Sequence, residues 1–373
     1  MNKLWAIRKY KEGDEKGLVQ LIKLVYEKET EQAMSDWIWY YRNNPFGHFI
    51  GIAEHDGQII GHMALIPIYM KVGEKTKKSS QAVDLAVHPD FRHQGIFLAI
   101  GEYLTNEAGK EGMDFSYGFP NKPAHSGHLK YGFFDVCFVP TLSKILSGST
   151  LLNTSTVNNF LGKFRIAKSL MHRYKILEKI MKFLFGAILT TMNLYHKVFY
   201  RLKGNVKLNT LKVEAITSFD GRINDLWRIA SSSYSIIVVR DKKYLNWRYF
   251  GNPNLKYRVL IAEKNCRILG YIVLSTVRSK TNQGLIVDLL TLPDNGGIAQ
   301  LLISKAVEYF RKRNFDSVIC YMLGSDSYYR ALRNNAFIPL AKKILIARVN
   351  SSRISEEVLR DYRNWYLTIG DVL

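Results

Sequence analysis

Apolar residues in the N-terminal part of the chain follow two rhythms. After Gly13-Asp14, the residues Leu18, Leu21, Ile22 and Val25 recur at helical spacing and predict an amphipathic helix. Phe49–Ala53 and Ile59–Ile68 are apolar stretches joined by His55-Asp56-Gly57, which predicts two strands and a tight turn. Ala82–Val87 predicts a further strand, ended by His88-Pro89. Gly95–Gly109 carries Ile96, Ile100, Leu104 and Ala108 about one helical turn apart, and Phe115–Phe119 reads as another strand. Helices and strands alternate, so the fold class is α/β with a mixed sheet.

The same order returns later in the chain. Ile223–Ser231 predicts a helix, then Arg258–Ala262, Ile268–Val277 and Leu285–Leu290 three strands. Ile298–Asn314 predicts a long helix, Asp316–Met322 a strand and Ser327–Asn335 a short helix. Short motifs repeat in register. Trp39-Tyr40-Tyr41-Arg42-Asn43-Asn44-Pro45 reappears as Trp247-Arg248-Tyr249-Phe250-Gly251-Asn252-Pro253. Val83-Asp84-Leu85 and Pro89-Asp90 reappear as Val287-Asp288-Leu289 and Pro293-Asp294. This period is too long for a solenoid and marks two copies of one domain. The expected organisation is a first domain at 1–140, a basic helical linker at 141–210 and a second, degenerate copy at 211–373.

Charge sharpens that division. The chain of 373 residues carries a formal net charge of +21. Between Thr141 and Val213 stand thirteen lysines and arginines against one acid, Glu178. The excess is therefore concentrated in the linker, where Ile176–Leu202 is helical in character but interrupted by cations. No uncharged apolar run reaches the roughly 18 residues of a membrane span. This segment reads either as a helical hairpin with a solvated basic face or as a peripheral contact with an anionic membrane. Nucleic acid is not the expected partner. Three scattered cysteines, Cys137, Cys266 and Cys320, form no C-x-x-C pair and fit a reducing compartment. Met1–Tyr10 has no apolar leader segment, so the expected location is cytoplasmic.

The chemistry concentrates in Val83–Ile100. Gly95 allows the backbone to turn sharply and to approach an anion. A helix opening there presents unpaired N–H groups and the positive end of its dipole. Together they suit a pyrophosphate, and Arg92 adds a permanent charge. The run from Val83 to Phe97 resembles the coenzyme A-binding motif of the GNAT superfamily of N-acetyltransferases. That pattern is a strand, a valine, a proline, then Gln/Arg-x-x-Gly-x-Gly/Ala opening a long helix. Arg92 and Gly95 match it, and Phe97 stands where the family has a small residue. Downstream, Asn121-Lys122-Pro123-Ala124 continuing to His128-Leu129-Lys130-Tyr131-Gly132-Phe133 is similar to the later GNAT pattern Asn-x-x-Ala-x-x-x-Tyr-x-Lys-x-Gly-Phe, with His128 at the tyrosine position.

The resemblance implies acyl transfer from acetyl-CoA to a primary amine of a small molecule or amino sugar by direct attack on the thioester, without a metal. It places the cosubstrate on Leu85, Ala86, Val87, Arg92, His93, Gln94, Gly95, Ile96, Phe97 and Asn121. Asp84 would accept the amine proton, His128 would protonate the leaving thiolate, and the N–H groups of Leu85–Val87 would polarise the carbonyl. Strand alternation puts Asp84, Ala86 and His88 on one face. Trp37, Trp39 and Tyr41 are candidates for lining the acceptor cleft, although Trp247 and Tyr249 recur in the copy without a glycine loop. Two other functions remain open from sequence: an aminoacyl-tRNA-dependent peptidyltransferase of paired GNAT-like fold, and a non-catalytic acyl-CoA-binding module.

Overall fold

The computed structural model describes residues 5–27, 29–146, 191, 211–278, 282–293 and 296–372. β1 (Ala6–Lys9) leads to α1 (Glu15–Tyr26), which buries Leu18, Leu21 and Ile22 at the predicted spacing. α2 (Thr30–Trp37) runs on into a π-helical turn, Ile38–Arg42. Then follow β2 (Phe49–His55), β3 (Gln58–Val72), β4 (Lys75–Val87), α3 (Ile96–Lys110), β5 (Phe115–Gly118), α4 (Lys122–Lys130) and β6 (Phe134–Ile145). The later copy repeats the order. It comprises β7 (Lys212–Ile216), α5 (Arg222–Ala230), an additional β8 (Ile236–Val238), α6 (Lys242–Phe250), β9 (Arg258–Lys264), β10 (Arg267–Arg278), β11 (Asn282–Thr291), α7 (Gly296–Lys312), β12 (Ser317–Leu323), α8 (Asp326–Asn334) and β13 (Ile338–Val349). α9 (Glu356–Arg360) and β14 (Trp365–Thr368) close the chain. Positions 147–190 and 192–210 of the basic segment lie outside the described residues. Among those described, no helix is long and apolar enough to cross a membrane.

The copies fold into two compact units that interleave along the chain, where the repeat predicted consecutive ranges. One unit holds Met1–Val139, Ser231–Lys256 and Lys343–Leu373, and the other Pro140–Ala230 and Tyr257–Lys342. In the first, β1, β2, β3 and β4 pair antiparallel in that order, β5 joins β4 in parallel, and Ile346–Val349 of β13 pairs antiparallel with β5. In the second, β7, β9, β10 and β11 pair antiparallel, β12 joins β11 in parallel, and Thr141–Ile145 of β6 pairs antiparallel with β12. Each sheet is thus finished by the far half of the last strand of the other copy. Both strands are 12 residues long, enough for one half to enter a different sheet.

Within the first unit, β3 is buried from Ile59 to Ile68, so both of its faces are covered and its sequence reads as a continuous apolar run. α3 buries Ile96, Ile100, Leu104 and Ala108, each large aliphatic side chain contributing about 1.5–3 kcal/mol. It lies close to the sheet because Gly51 and Gly61 carry no side chain. A Cβ on Gly51 would stand 2.9 Å from Leu104, and one on Gly61 2.8 Å from Ile96. This seating fixes where the N-terminus of α3 emerges.

Two contacts join the separate segments of that unit. Trp39 and Trp247, equivalent in the repeat, stack at 5.4 Å and exchange hydrogen bonds, each indole N–H donating to the other's carbonyl at 3.0 and 3.2 Å. Arg240 is fully buried and donates to Asp371 at 2.6 Å, while the Thr368 N–H donates to the same carboxylate oxygen at 2.8 Å. Replacing Arg240 with Met strands a buried carboxylate. The expected cost is about 3–5 kcal/mol, measured as a lowered urea midpoint.

Candidate functional site

The parallel pairing of β4 with β5 covers only Ser80–Ala82 against Ser116–Gly118. β5 then ends while β4 continues to Val87, so among the described residues the edge of β4 from Val83 to Val87 has no strand on that side. A bulge falls at the same place. Ala64 of β3 faces Val83, yet His62 faces Ala86, so β4 takes three steps where β3 takes two. Asp84 stands in the bulge with φ of 49°, a left-handed conformation that aspartate tolerates better than most residues. The bulge also breaks the strict alternation expected for this strand. Ala82 before it and Leu85 and Val87 after it all pack toward the α3 side of the sheet.

Two cavities open along the parted strands. One, of about 220 Å³, is lined by Tyr26, Met63, Asp84, Gly118, Phe119, His128 and Val372, among others. The other, of about 590 Å³, is lined by Val87, Arg92, His93, Gly95, Ile96, Phe97 and Lys130, among others. Leu85, Asn121 and Ala124 line both, so the two are parts of one cleft. Their charges are opposite. Among the described residues, the larger part has Arg92, His93 and Lys130 and no carboxylate, and the smaller has Asp84 and no lysine or arginine.

At the basic end, Gly95 has φ of 79°, and open space surrounds the position where its Cβ would stand. It is the N-cap of α3, and no side chain caps the helix. The first N–H groups of α3 therefore face the cleft with the helix dipole behind them. The residues present fit a coenzyme A pyrophosphate at this point.

At the acidic end, the Tyr41 hydroxyl donates to Asp84 Oδ2 at 2.6 Å, and burial together with Asp84 raises this phenol well above its ordinary pKa. Tyr26 donates to the carbonyl of Leu85 at 2.6 Å, and burial raises its hydroxyl to about 12. His128 Nδ1 bonds the Tyr131 hydroxyl, which leaves the ring hydrogen for Nε2 when the phenol is the donor. Burial, with a smaller contribution from His125, lowers His128 to about 4. The ring is neutral at pH 7. The imidazolium donor expected from a free histidine is therefore replaced by a neutral Nε2–H donor.

Comparison with known proteins gives the fold a family. Residues 6–134 match the acetyltransferase (GNAT) domain family. They form a GNAT domain. No curated protein matches the chain. Among solved structures, the chain is similar to a GCN5-related N-acetyltransferase from Anabaena variabilis, with a TM-score of 0.63 and 10% identity over 93% of this chain and 73% of that one. A conserved protein of unknown function from Enterococcus faecalis, described as a probable N-acyltransferase, gives 0.58 and 12% over 92% and 72%. Saccharomyces cerevisiae N-myristoyltransferase with bound myristoyl-CoA gives 0.55 and 10% over 94% and 80%. These likenesses show a shared fold.

The GNAT domain brings most of the residues singled out from sequence into one cleft. Leu85, Val87, Arg92, His93, Gly95, Ile96, Phe97 and Asn121 line the larger part, and Asp84 and His128 the smaller. Ala86 and Gln94 line neither; Ala86 is buried in the ladder opposite His62. Asn121 is also the N-cap of α4, accepting from Ala124 N–H at 2.9 Å. Trp37 and Trp39 are buried scaffold, whereas Tyr41 reaches the site through Asp84. Tyr26 and His62 were not singled out from sequence. His62 carried a signal, as the one polar side chain in the apolar run Ile59–Ile68.

Phe97 fits the GNAT domain because Gly127 makes room for it. A Cβ on Gly127 would lie 1.9 Å from the Phe97 ring, which also packs edge-on against His128 at 5.4 Å and Tyr131 at 5.8 Å. Gly127→Ala should displace Phe97 into the cleft and lower the thermal midpoint. In a double-mutant cycle with Phe97→Ala, a coupling of about 0.5–3 kcal/mol is expected; strictly additive effects would contradict this packing.

Proposed function

We propose that the chain transfers an acyl group, acetyl in the first instance, from acyl-CoA to a primary amine of a small molecule or amino sugar. The observation that carries this reading is the opposed charge of a single cleft: a helix N-terminus with Arg92 at one end, a lone carboxylate at the other, and an unpaired strand edge between. The pyrophosphate is held by the first turn of α3 and by Arg92. The pantetheine amides have as hydrogen-bonding partners the backbone groups on the open edge of Val83–Val87 that Tyr26, at the Leu85 carbonyl, and Arg92, at the Val87 carbonyl, leave available. This brings the thioester to the bulge, where backbone N–H groups can polarise its carbonyl.

Asp84 accepts the proton of the incoming amine, with Tyr41 holding one carboxylate oxygen and leaving the other toward the cavity. The amine nitrogen attacks the carbonyl, the C–S bond breaks, and the Nε2–H of His128 hydrogen-bonds the departing thiolate. The smaller cavity favours a cationic amine, since Asp84 is the one carboxylate among its described lining residues. A phosphate cradle favours this reading over an aminoacyl-tRNA-dependent peptidyl transfer.

Calorimetry with acetyl-CoA tests the binding half. Wild type should bind, and Gly95→Glu should lose at least about tenfold in affinity, or 1.4 kcal/mol, because it strains the backbone and places a carboxylate at the anion site. No binding by wild type defeats the proposal. Thiol release with a panel of primary amines tests the catalytic half. Asp84→Asn should lower kcat by about a hundredfold or more while acetyl-CoA affinity holds; binding without turnover of any amine would point to a non-catalytic module.

A further inference from the structure

His62 lies on β3 opposite Ala86 of β4, beside the bulge that carries Asp84. Its side chain is 1% exposed, and neither ring nitrogen has a hydrogen-bond partner among the described residues. A buried polar group without a partner is a free-energy cost that an aliphatic residue would remove, and every other position from Ile59 to Ile68 is apolar or glycine. Asp84 is the charged group whose field reaches the imidazole. Across β2 the ring's strand neighbour is Ile52. The other titratable groups at this point are Tyr41 and, from α1, Tyr26, both coupled to Asp84.

The second unit supplies an internal comparison. Gly270-Tyr271 on β10 corresponds to Gly61-His62, and Asp288 on β11 to Asp84. There the Tyr271 hydroxyl donates to Asp288 Oδ2 at 2.8 Å and the Leu289 N–H to Oδ1 at 2.9 Å. Both carboxylate oxygens are bonded. In the first unit Tyr41 takes Oδ2, Oδ1 has no donor among the described residues, and an imidazole replaces the phenol.

We propose that His62 is a positioning residue that receives, through Asp84, the proton given up by the acceptor amine, so that the buried pair is the base of the transfer. This rests on the reading of Asp84 as proton acceptor. The ammonium proton passes to Asp84 Oδ1 and then, once the two side chains close to hydrogen-bond distance, to a ring nitrogen of His62, leaving a carboxylate and an imidazolium. The freed nitrogen lone pair forms the new C–N bond. The sulfur keeps the electron pair of the broken C–S bond and takes the second proton, which the nitrogen sheds as the amide forms. The imidazolium returns its proton through Asp84 once the product has left.

Two measurements on the full chain test this. Nitrogen-15 NMR of histidine-labelled protein follows the His62 ring, assigned by its loss in His62→Phe. The titration point should fall in Asp84→Asn, because the carboxylate favours the imidazolium; an unchanged point overturns the proposal. This readout needs no acetyl-CoA. If it is positive while wild type turns over no amine, the acyl-transfer reading fails and the coupling stands. Where an amine is turned over, thiol release from acetyl-CoA is followed across the pH range. His62→Gln and His62→Phe should each lower kcat at least about tenfold and reshape the acid limb, with acetyl-CoA affinity unchanged. A His62→Gln enzyme with wild-type kcat and pH profile overturns the proposal.

Discussion

The parting of β4 from β5 beyond Ala82 and Gly118 is the constraint on which the site depends. Parallel strands that stayed paired would satisfy every backbone group and leave no cleft. Here the last residues of β4 keep their bonds to β3 and expose their other edge. Backbone groups in such a place need partners, and Tyr26 supplies one for Leu85. The bulge at Asp84 adds to the effect by turning a carboxylate out of strict alternation at the point where the strands separate. α3, seated on Gly51 and Gly61, brings its N-terminus to the far end of the same edge.

Electrostatics then divides the cleft. The basic end combines Arg92, His93 and Lys130 with the unpaired N–H groups of α3, and the acidic end holds Asp84 within a mostly uncharged lining. Burial keeps His62 and His128 neutral at pH 7, so neither offsets the carboxylate. The Phe97–Gly127 contact shows how a residue too large for the family pattern is absorbed by a glycine on the facing helix.

The two copies share a strand order and diverge in chemistry. Asp84 and Asp288 occupy equivalent positions, yet Asp288 is fully bonded and 1% exposed, whereas Asp84 reaches a cavity. The later copy lacks an Arg or Gln three residues before its glycine. Scaffold and site are therefore separable by comparing the chain with itself: Trp39 and Trp247 belong to the scaffold, while Arg92, Gly95 and His62 belong to the first copy alone.

The sequence by itself determined the elements and the cradle. The spacing of Ile96, Ile100, Leu104 and Ala108 specifies α3, and Gly95 specifies the sharp turn that opens it, because helical periodicity and positive φ are local properties. It also revealed the repeat, since equivalent positions share packing demands. Only the tertiary structure decided that β6 and β13 finish each other's sheets, because strand pairing depends on residues about two hundred positions apart. It alone set Asp84 in a bulge, since a one-residue slip between strands leaves no mark in the pattern of either strand. It alone made His62 and His128 neutral, because their proton affinity is set by the burial and neighbours that folding brings.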